Sequence, residues 1–368
     1  MAGIYIHIPF CRQACHYCNF HFSTSLRKKD ALLQSLHKEI ELTEKNEEVI
    51  ETVYFGGGTP SILEAGEIGS LLKKIRAYFQ VQTNAEITLE ANPDDISEEK
   101  LMAWMRSGIN RLSIGVQSFF DEDLKWMNRA HNAGQAIDNL LLAKKYFQNI
   151  TIDLIYGVPG LTNERWQQNV ETAVSLGIPH LSCYALTVEP KTPLDKLIRT
   201  NKKPGVDAET QSEQFLLLMD WVGHAGYEHY EISNFAKPGC RSRHNSSYWL
   251  RKNYYGFGPG AHSFNGNERR WNIANNQKYI ESIGQGIIPF EKEVLTDTQK
   301  LNEFIMISLR TIEGINLKRM DEVAAVDILK SSQKYIQQGL VVHENDHLKL
   351  TNQGKLFADG IAADLFKL

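Results

Sequence analysis

Six short apolar segments, each followed by a longer amphipathic one, constrain the fold of this chain more than any other feature. The apolar segments are 4–8, 52–55, 86–90, 111–116, 150–155 and 180–186. Helical periodicity fills the spaces between them. From Leu26 to Leu42, residues Leu32, Leu36 and Ile40 share one face. A helix opens near Pro60, whose missing N–H is harmless in a first turn. Another follows Ser97, with Glu98 and Glu99 as acidic first-turn residues, and a further one runs from Glu164 to Leu176. Strands separated by helices must pair in parallel through right-handed crossovers. An open doubly wound sheet and a partial barrel both satisfy this pattern. In either, ligands bind at the C-terminal ends of the strands. The unusual residues lie there: Cys11, the run Gly56–Gly57–Gly58–Thr59–Pro60, Glu90, Gln117 and Tyr156–Gly157.

Beyond about Glu189 the alternation stops. Residues 191–270 are rich in Gly, Pro, Asn and aromatics. From Thr296 a different order begins: a helix near Asp297 to Arg310, another from Asp327 to Gln338, then two short strands around Glu344–Asn345–Asp346. Helix, helix and hairpin outline an α+β, winged-helix-like module. Such modules bind DNA in some settings, but 40 basic against 44 acidic residues give a net charge of −4, without the basic footprint of a nucleic-acid binder. A packing or partner role is expected instead. No apolar run approaches the roughly 20 residues that span a bilayer, so membrane association is expected to be transient at most. Residues 1–10 lack a cationic segment and a small-residue cleavage site. A cytoplasmic location follows as the expectation.

Three of the five cysteines crowd into eight residues, Cys11, Cys15 and Cys18, while Cys183 and Cys240 lie far off. An odd count with one tight cluster argues for reduced thiolates used as ligands rather than a disulfide framework. Three thiolates so close need a cation. A structural zinc takes four ligands, and His7, His16 or His21 is available as the fourth. A [4Fe–4S] cluster on three thiolates leaves one iron open.

The spacing Cys-x3-Cys-x2-Cys, with Tyr17 directly before the last cysteine, resembles the signature of the radical S-adenosylmethionine (SAM) enzymes. The resemblance implies an α/β fold built as a partial (β/α)6, TIM-like barrel. It also implies a [4Fe–4S] cluster on Cys11, Cys15 and Cys18, with SAM chelating the open iron. One electron from the cluster then cleaves the sulfonium into methionine and a 5′-deoxyadenosyl radical. Within that superfamily the chain is similar to the oxygen-independent coproporphyrinogen III dehydrogenases and their haem-chaperone relatives. The matching stretches are Tyr5–Cys11, Gly57–Gly58–Thr59–Pro60, Gly115–Val116–Gln117–Ser118 and Asp153–Leu154–Ile155–Tyr156–Gly157. Carried over residue by residue, the resemblance implies that Tyr5, Tyr17, Gly57, Gly58, Thr59, Glu90, Gln117, Arg129 and Asp153 surround SAM. Ala185 and His262 are more peripheral candidates. The residues themselves allow blander roles. The glycines suit a tight turn, Glu90 a rim charge and Arg129 a solvated helix end. Asp153 differs, because an acid between Ile152 and Leu154 must be paired or face a ligand.

Two departures separate the chain from the dehydrogenases. Those carry a fourth cysteine two residues after the third, where this chain has Phe20, and a long segment before the cluster, where this chain has ten residues. Both departures fit the haem-chaperone branch. So does His244-Asn245-Ser246-Ser247-Tyr248-Trp249, which matches a stretch associated there with haem contact. A histidine can ligate haem iron and aromatics can cover a porphyrin face. On chemistry alone, an ordinary loop histidine and a Tyr–Trp pair in a junction explain the same residues. His262, after Gly258–Pro259–Gly260, competes as the iron ligand. The expected organisation is a core over 1–235 holding cluster and SAM, a linker and haem-contact region over 236–295, and the winged-helix-like domain over 296–368. The expected partners are haem, apo-haemoproteins of the respiratory chain and an electron donor. The alternative is a radical SAM enzyme, such as the dehydrogenase itself, acting on a tetrapyrrole.

Overall fold

The computed structural model describes residues 1–44 and 47–367. Six parallel strands form the centre: β1 (Ala2–Ile8), β2 (Val49–Gly57), β3 (Gln80–Ala91), β4 (Arg111–Gln117), β5 (Ile150–Tyr156) and β6 (His180–Ala185). They lie side by side in chain order. A doubly wound sheet reverses its order at a switch point. Here no reversal occurs, and the partial-barrel alternative holds. The intervening helices are α1 (Lys29–Leu42), α2 (Ala65–Tyr78), α3 (Glu98–Ser107), α4 (Asp121–Met127), α5 (Ala133–Ala143) and α6 (Asn163–Ser175). Their apolar stripes pack on the sheet, as Ile68, Leu71, Leu72 and Ile75 of α2 do. Ser97 caps α3 by accepting from the Lys100 amide, as its sequence suggests.

Strand periodicity decides what faces the interior. Leu112, Ile114 and Val116 of β4 are fully buried under the helices, while Ser113, Gly115 and Gln117 line a cavity. The same alternation points Asp153 and Ile155 of β5, and Ser182 and Tyr184 of β6, into that cavity. An acid within an apolar strand is thereby explained: only one face of the strand is apolar.

The arc does not close on itself. Both edges are extended, giving twelve strands. Beyond β6 come α7 (Pro193–Arg199), α8 (Ala208–His224) and the hairpin β7 (Glu228–Glu231) and β8 (Asn234–Ala236), with β8 antiparallel to β6. After α9 (Arg243–Trp249), β9 (Asn253–Phe257) pairs in parallel with β1. Antiparallel β10 (His262–Phe264), β11 (Glu268–Asn272) and, after α10 (Asn276–Gly284), β12 (Phe290–Val294) continue the sheet. The 236–295 stretch, which the sequence suggests is a linker, carries four strands of the sheet and two helices. Those strands are short, so no apolar alternation betrays them.

A second core builds the C-terminal domain from α11 (Asp297–Leu309), β13 (Ile315–Asn316), α12 (Glu322–Gln337), β14 (Val341–Glu344), β15 (His347–Leu350), α13 (Asn352–Lys355) and α14 (Ala358–Leu365). Its three strands order β13-β15-β14. The domain is tied to the barrel edge by backbone bonds from Ile232 N to Arg310 O and from Ile312 N to Tyr230 O, each 3.0 Å. Among the described residues, no helix is long and apolar enough to cross a membrane.

Candidate functional site

The cysteine loop leaves β1 and returns at Ser23. Its neck is closed by Cys11 N to Ser23 O at 3.1 Å and Ser23 N to Pro9 O at 2.9 Å. Its far side is laced to the end of α4: Asn128 donates to Ala14 O at 2.7 Å, and Gln13 donates to Asn128 O at 2.8 Å. The glycine loop after β2 lies directly against it, through Gly58 N to Ile8 O at 2.9 Å and Thr59 N to Phe10 O at 2.7 Å. The side chain of Thr59 reaches the Cys11 sulfur at 3.5 Å. A Cβ on Gly58 would meet the Phe10 carbonyl oxygen at 2.5 Å, so only glycine permits this approach. Gly58→Ala is expected to cost about 1–3 kcal/mol through this overpacking. A thermal midpoint at the wild-type value would refute that.

Cys11, Cys15 and Cys18 are each half-buried and line one cavity of about 460 Å³. Burial pushes the Cys11 thiol up to about 11, with further increments from Cys18 and Cys15. Burial likewise raises Cys18. Thiols in this state stay neutral unless a cation compensates them. Arg129 approaches from the end of α4. It donates to the Cys15 sulfur at 3.3 Å, to Asn92 Oδ1 at 2.7 Å and to Gly115 O at 2.8 Å. Its buried Nε has no partner.

Two carboxyls share the same cavity. Glu90 accepts from the Tyr54 hydroxyl at 2.8 Å and the Gly57 amide at 3.2 Å. Burial, with a smaller push from Asp153, raises it to about 7. Asp153 is raised to about 6 by burial, against a lowering contact from Ser182. Carboxyls held near neutrality in a cleft beside an unsatisfied guanidinium nitrogen are poised to take an ammonium or hydroxyl donor from a ligand. Gln117 ends β4 at φ +69 and is buried. A left-handed non-glycine residue at a strand end is a strain that a site tolerates where it aims a side chain.

A model of the radical SAM superfamily matches residues 5–197, and one of the HemN C-terminal domain matches 295–357. The chain is 34% identical over 371 residues to the heme chaperone HemW of Bacillus subtilis, covering 98% of each. It is 32% identical to that of Mycobacterium tuberculosis, covering 99% of this chain and 94% of the relative. The chain belongs to the HemW family of the radical SAM superfamily. Its fold is that of the coproporphyrinogen III oxidase HemN from Escherichia coli, with a TM-score of 0.85 at 22% identity, over 100% of this chain and 90% of that one.

Of the residues singled out in this HemW-family sequence, the structure gathers Cys11, Cys15, Tyr17, Cys18, Gly57, Gly58, Thr59, Glu90, Gln117, Arg129, Asp153 and Ala185 around the one cavity. Tyr5 lies outside that lining. It stacks behind Tyr54, with ring centroids 6.1 Å apart, and its hydroxyl meets His7 Nδ1 at 3.2 Å. His262 is exposed on β10, beside Trp271. His244 is the largest surprise, because it is buried under the barrel with both ring nitrogens engaged. Thr52 Oγ1 lies 2.8 Å from Nδ1, and the Tyr248 hydroxyl 2.9 Å from Nε2. The ring stacks on Tyr54 at 4.9 Å, and burial pushes its pKa down to about 3. Glu86 anchors the start of α9 by accepting from the backbone amides of Arg243 and His244. A free axial-ligand nitrogen is therefore absent from His244 in this conformation, whereas Tyr248 and Trp249 line a second cavity. Sequence reasoning misses Tyr54, Asn92, Ser113 and Ser182. They carry no spacing signal and reach the site only through neighbouring strands.

Proposed function

We propose that this protein is a haem chaperone of the HemW type, which holds a [4Fe–4S] cluster and SAM, binds haem and passes it to apo-haemoproteins. The observation that carries the reading is the meeting of three half-buried thiols, the Gly57–Gly58–Thr59 loop and the Glu90–Asp153 face in one cavity. The donor set fits the cluster. Three soft sulfurs line the cavity, burial disfavours the charge of two of them, Cys11 and Cys18, and an iron–sulfur cation offsets that cost. A lone zinc ion suits them less well. Among the described residues, no three His, Cys, Asp or Glu side chains converge closely enough to share one ion, whereas a cubane spreads its thiolates over different irons.

Cys11, Cys15 and Cys18 would hold the cluster. Glu90 and Asp153 would receive the amino group or ribose of SAM, with the Gly57–Gly58 backbone and Tyr17 packing beside it. Arg129 would face the SAM carboxylate or the cluster charge with its free Nε–H. When bound, the cluster supplies an electron to the sulfonium. An electron donor is then a required partner, and the half-exposed rim gives it access. The chain's part is to orient SAM and limit water in a cavity walled by the sheet. Tyr248 and Trp249 would cover a face of haem, with His244 positioning Tyr248 through the 2.9 Å bond. Cytoplasmic residence and respiratory recipients belong to the same proposal.

Phe20 is 66% exposed on the cavity rim, at the position of the extra cysteine of the dehydrogenases. Porphyrinogen oxidation is accordingly not expected. Anaerobic incubation of the reconstituted protein with coproporphyrinogen III, SAM and a reductant should leave the substrate unchanged by absorbance and chromatography. Efficient formation of protoporphyrinogen would overturn the chaperone reading and make the protein an enzyme.

A further inference from the structure

A second cavity, of about 450 Å³, lies between α9, the β9–β10 edge and α11 of the C-terminal domain. Tyr184 and Asn245 line both cavities, so the two share a wall. Its volume suits a small organic ligand, and it is unusually basic for a chain of net charge −4. Arg251, Lys252, Arg269 and Arg310 face only two carboxylates, Glu231 and Glu303. Two of these cations are already committed: Lys252 to Glu51 at 2.6 Å, and Arg310 to Asp359 at 2.9 Å. The other two converge on one carboxylate. Arg269 pairs closely with Glu303, and Arg251 lies 3.7 Å from it.

A structural clamp would account for that pairing alone. It does not account for two buried donors in the same lining that have no partner, Arg251 Nε and Trp249 Nε1. An unpaired buried donor is costly, and a ligand acceptor removes the cost. Arg251 also sits at φ +54, a left-handed conformation that disfavours a side chain. The guanidinium of Arg251 lies 5.8 Å from the centroid of the Phe264 ring, and that of Arg310 lies 5.6 Å from the Trp249 ring. Flat aromatic walls alternating with guanidiniums fit a planar ligand that carries carboxylates at its edge.

We propose that this cavity seats the carboxylate-bearing edge of the tetrapyrrole, that Arg251 and Arg269 read its carboxylates, and that Glu303 is an internal occupant which the ligand displaces. The proposal rests on the haem reading above and adds how the macrocycle is oriented. Its metal-bearing centre lies toward Tyr248 and Trp249, and its acidic edge lies toward the C-terminal domain. Glu303 and Arg310 both come from α11 or its end, so the C-terminal domain forms part of the site.

The test is a parallel anaerobic titration of the full-length, cluster-loaded protein with haem and with haem dimethyl ester, followed by absorbance. The ester keeps the ring and the iron but loses both negative charges. Wild type should bind the ester about tenfold or more weakly, the scale of one charge-assisted contact. Arg251→Gln and Arg269→Gln should weaken haem and lose most of that discrimination. Glu303→Gln should tighten haem several-fold, a gain that a misfolded variant does not produce. If wild type binds haem and its ester equally, or if Glu303→Gln leaves haem affinity unchanged or lowers it, the carboxylate-reading assignment is wrong while the haem reading stands. If haem does not bind at all, the haem reading itself falls and takes this proposal with it.

Discussion

Cys15→Ala is expected to leave the protein colourless and free of iron while the barrel stays folded. The backbone of the cysteine loop is held by bonds that do not involve the Cys15 sulfur, from Ser23, Asn128 and Gln13. Removing one thiol therefore removes a ligand without removing the loop. Two remaining thiols cannot retain a cluster that needs at least three protein anchors. They also return to neutral forms, since burial is the largest cause that raises both Cys11 and Cys18. Arg129 loses its 3.3 Å contact to the sulfur but keeps Asn92 and Gly115 O, so it stays in place. Iron and acid-labile sulfide should fall to background, and the broad band near ~400 nm should vanish. Cys240→Ala is the matched control, because Cys240 lies on a distant turn with only a 3.9 Å contact to Pro238 O. Wild-type iron content in Cys15→Ala would show that the ligand set lies elsewhere.

Much of this site is legible in the sequence alone, because its key residues follow strands. Apolar runs locate β4, β5 and β6 to within a residue or two, and the ends of those strands carry Gln117, Tyr156 and Ala185. The apolar run of β3 covers 86–90, but the strand begins at Gln80. Its first half is polar and half-exposed, so apolar periodicity misses it. The turn at Pro60 is a short 3-10 segment ahead of α2, because Gly58 and Thr59 are drawn onto the cysteine loop. The illegible part is long-range. Arg129 meets Cys15 across 114 positions, and Thr52 meets His244 across 192. Which face α9 buries depends on Glu86 and Thr52, on neighbouring strands of the sheet, and no local pattern in 243–249 contains that information.

The same long-range docking relates the two cavities. α9 sits where the barrel, the β9 edge and the C-terminal domain meet. Its buried side holds His244 against Tyr54, which in turn donates to Glu90. Its open side presents Tyr248 and Trp249 to the second cavity. Glu90 is thus three contacts away, through Tyr54 and His244, from the aromatic wall proposed to cover haem.

Glu39, a carboxyl outside the site, should make a contribution to stability that falls as pH rises from about 4.5 to 7. Glu39 of α1 is 2% exposed. It accepts from the Tyr279 hydroxyl at 2.6 Å, the Gly258 amide at 2.8 Å and the Asn272 amide at 2.5 Å. These bonds tie α1 to α10, to the loop after β9 and to β11, the strands that extend the sheet beyond β1. Burial outweighs the three donors and pushes the carboxyl from its ordinary 4.5 up to about 7. Between those values the folded chain holds a proton that the unfolded chain has released. The Glu39 contribution is therefore greatest below the unfolded value, declines across that window and is flat above it. The decline corresponds to about 3 kcal/mol. Glu90 and Asp153 act with the same sign, and the buried His7, His131, His229 and His244, whose pKa values are lowered, with the opposite one, so the wild-type curve alone does not isolate Glu39. Glu39→Gln does, since all of these groups remain. The variant should be less stable than wild type at pH 5, where it loses one or more of the three acceptor contacts at about 1 kcal/mol each. That gap should close or reverse by pH 8, shifting the difference in apparent thermal midpoint by on the order of 5 °C. A gap that stays constant between pH 5 and pH 8, measured under argon on cluster-loaded samples, would mean that Glu39 does not titrate in this range.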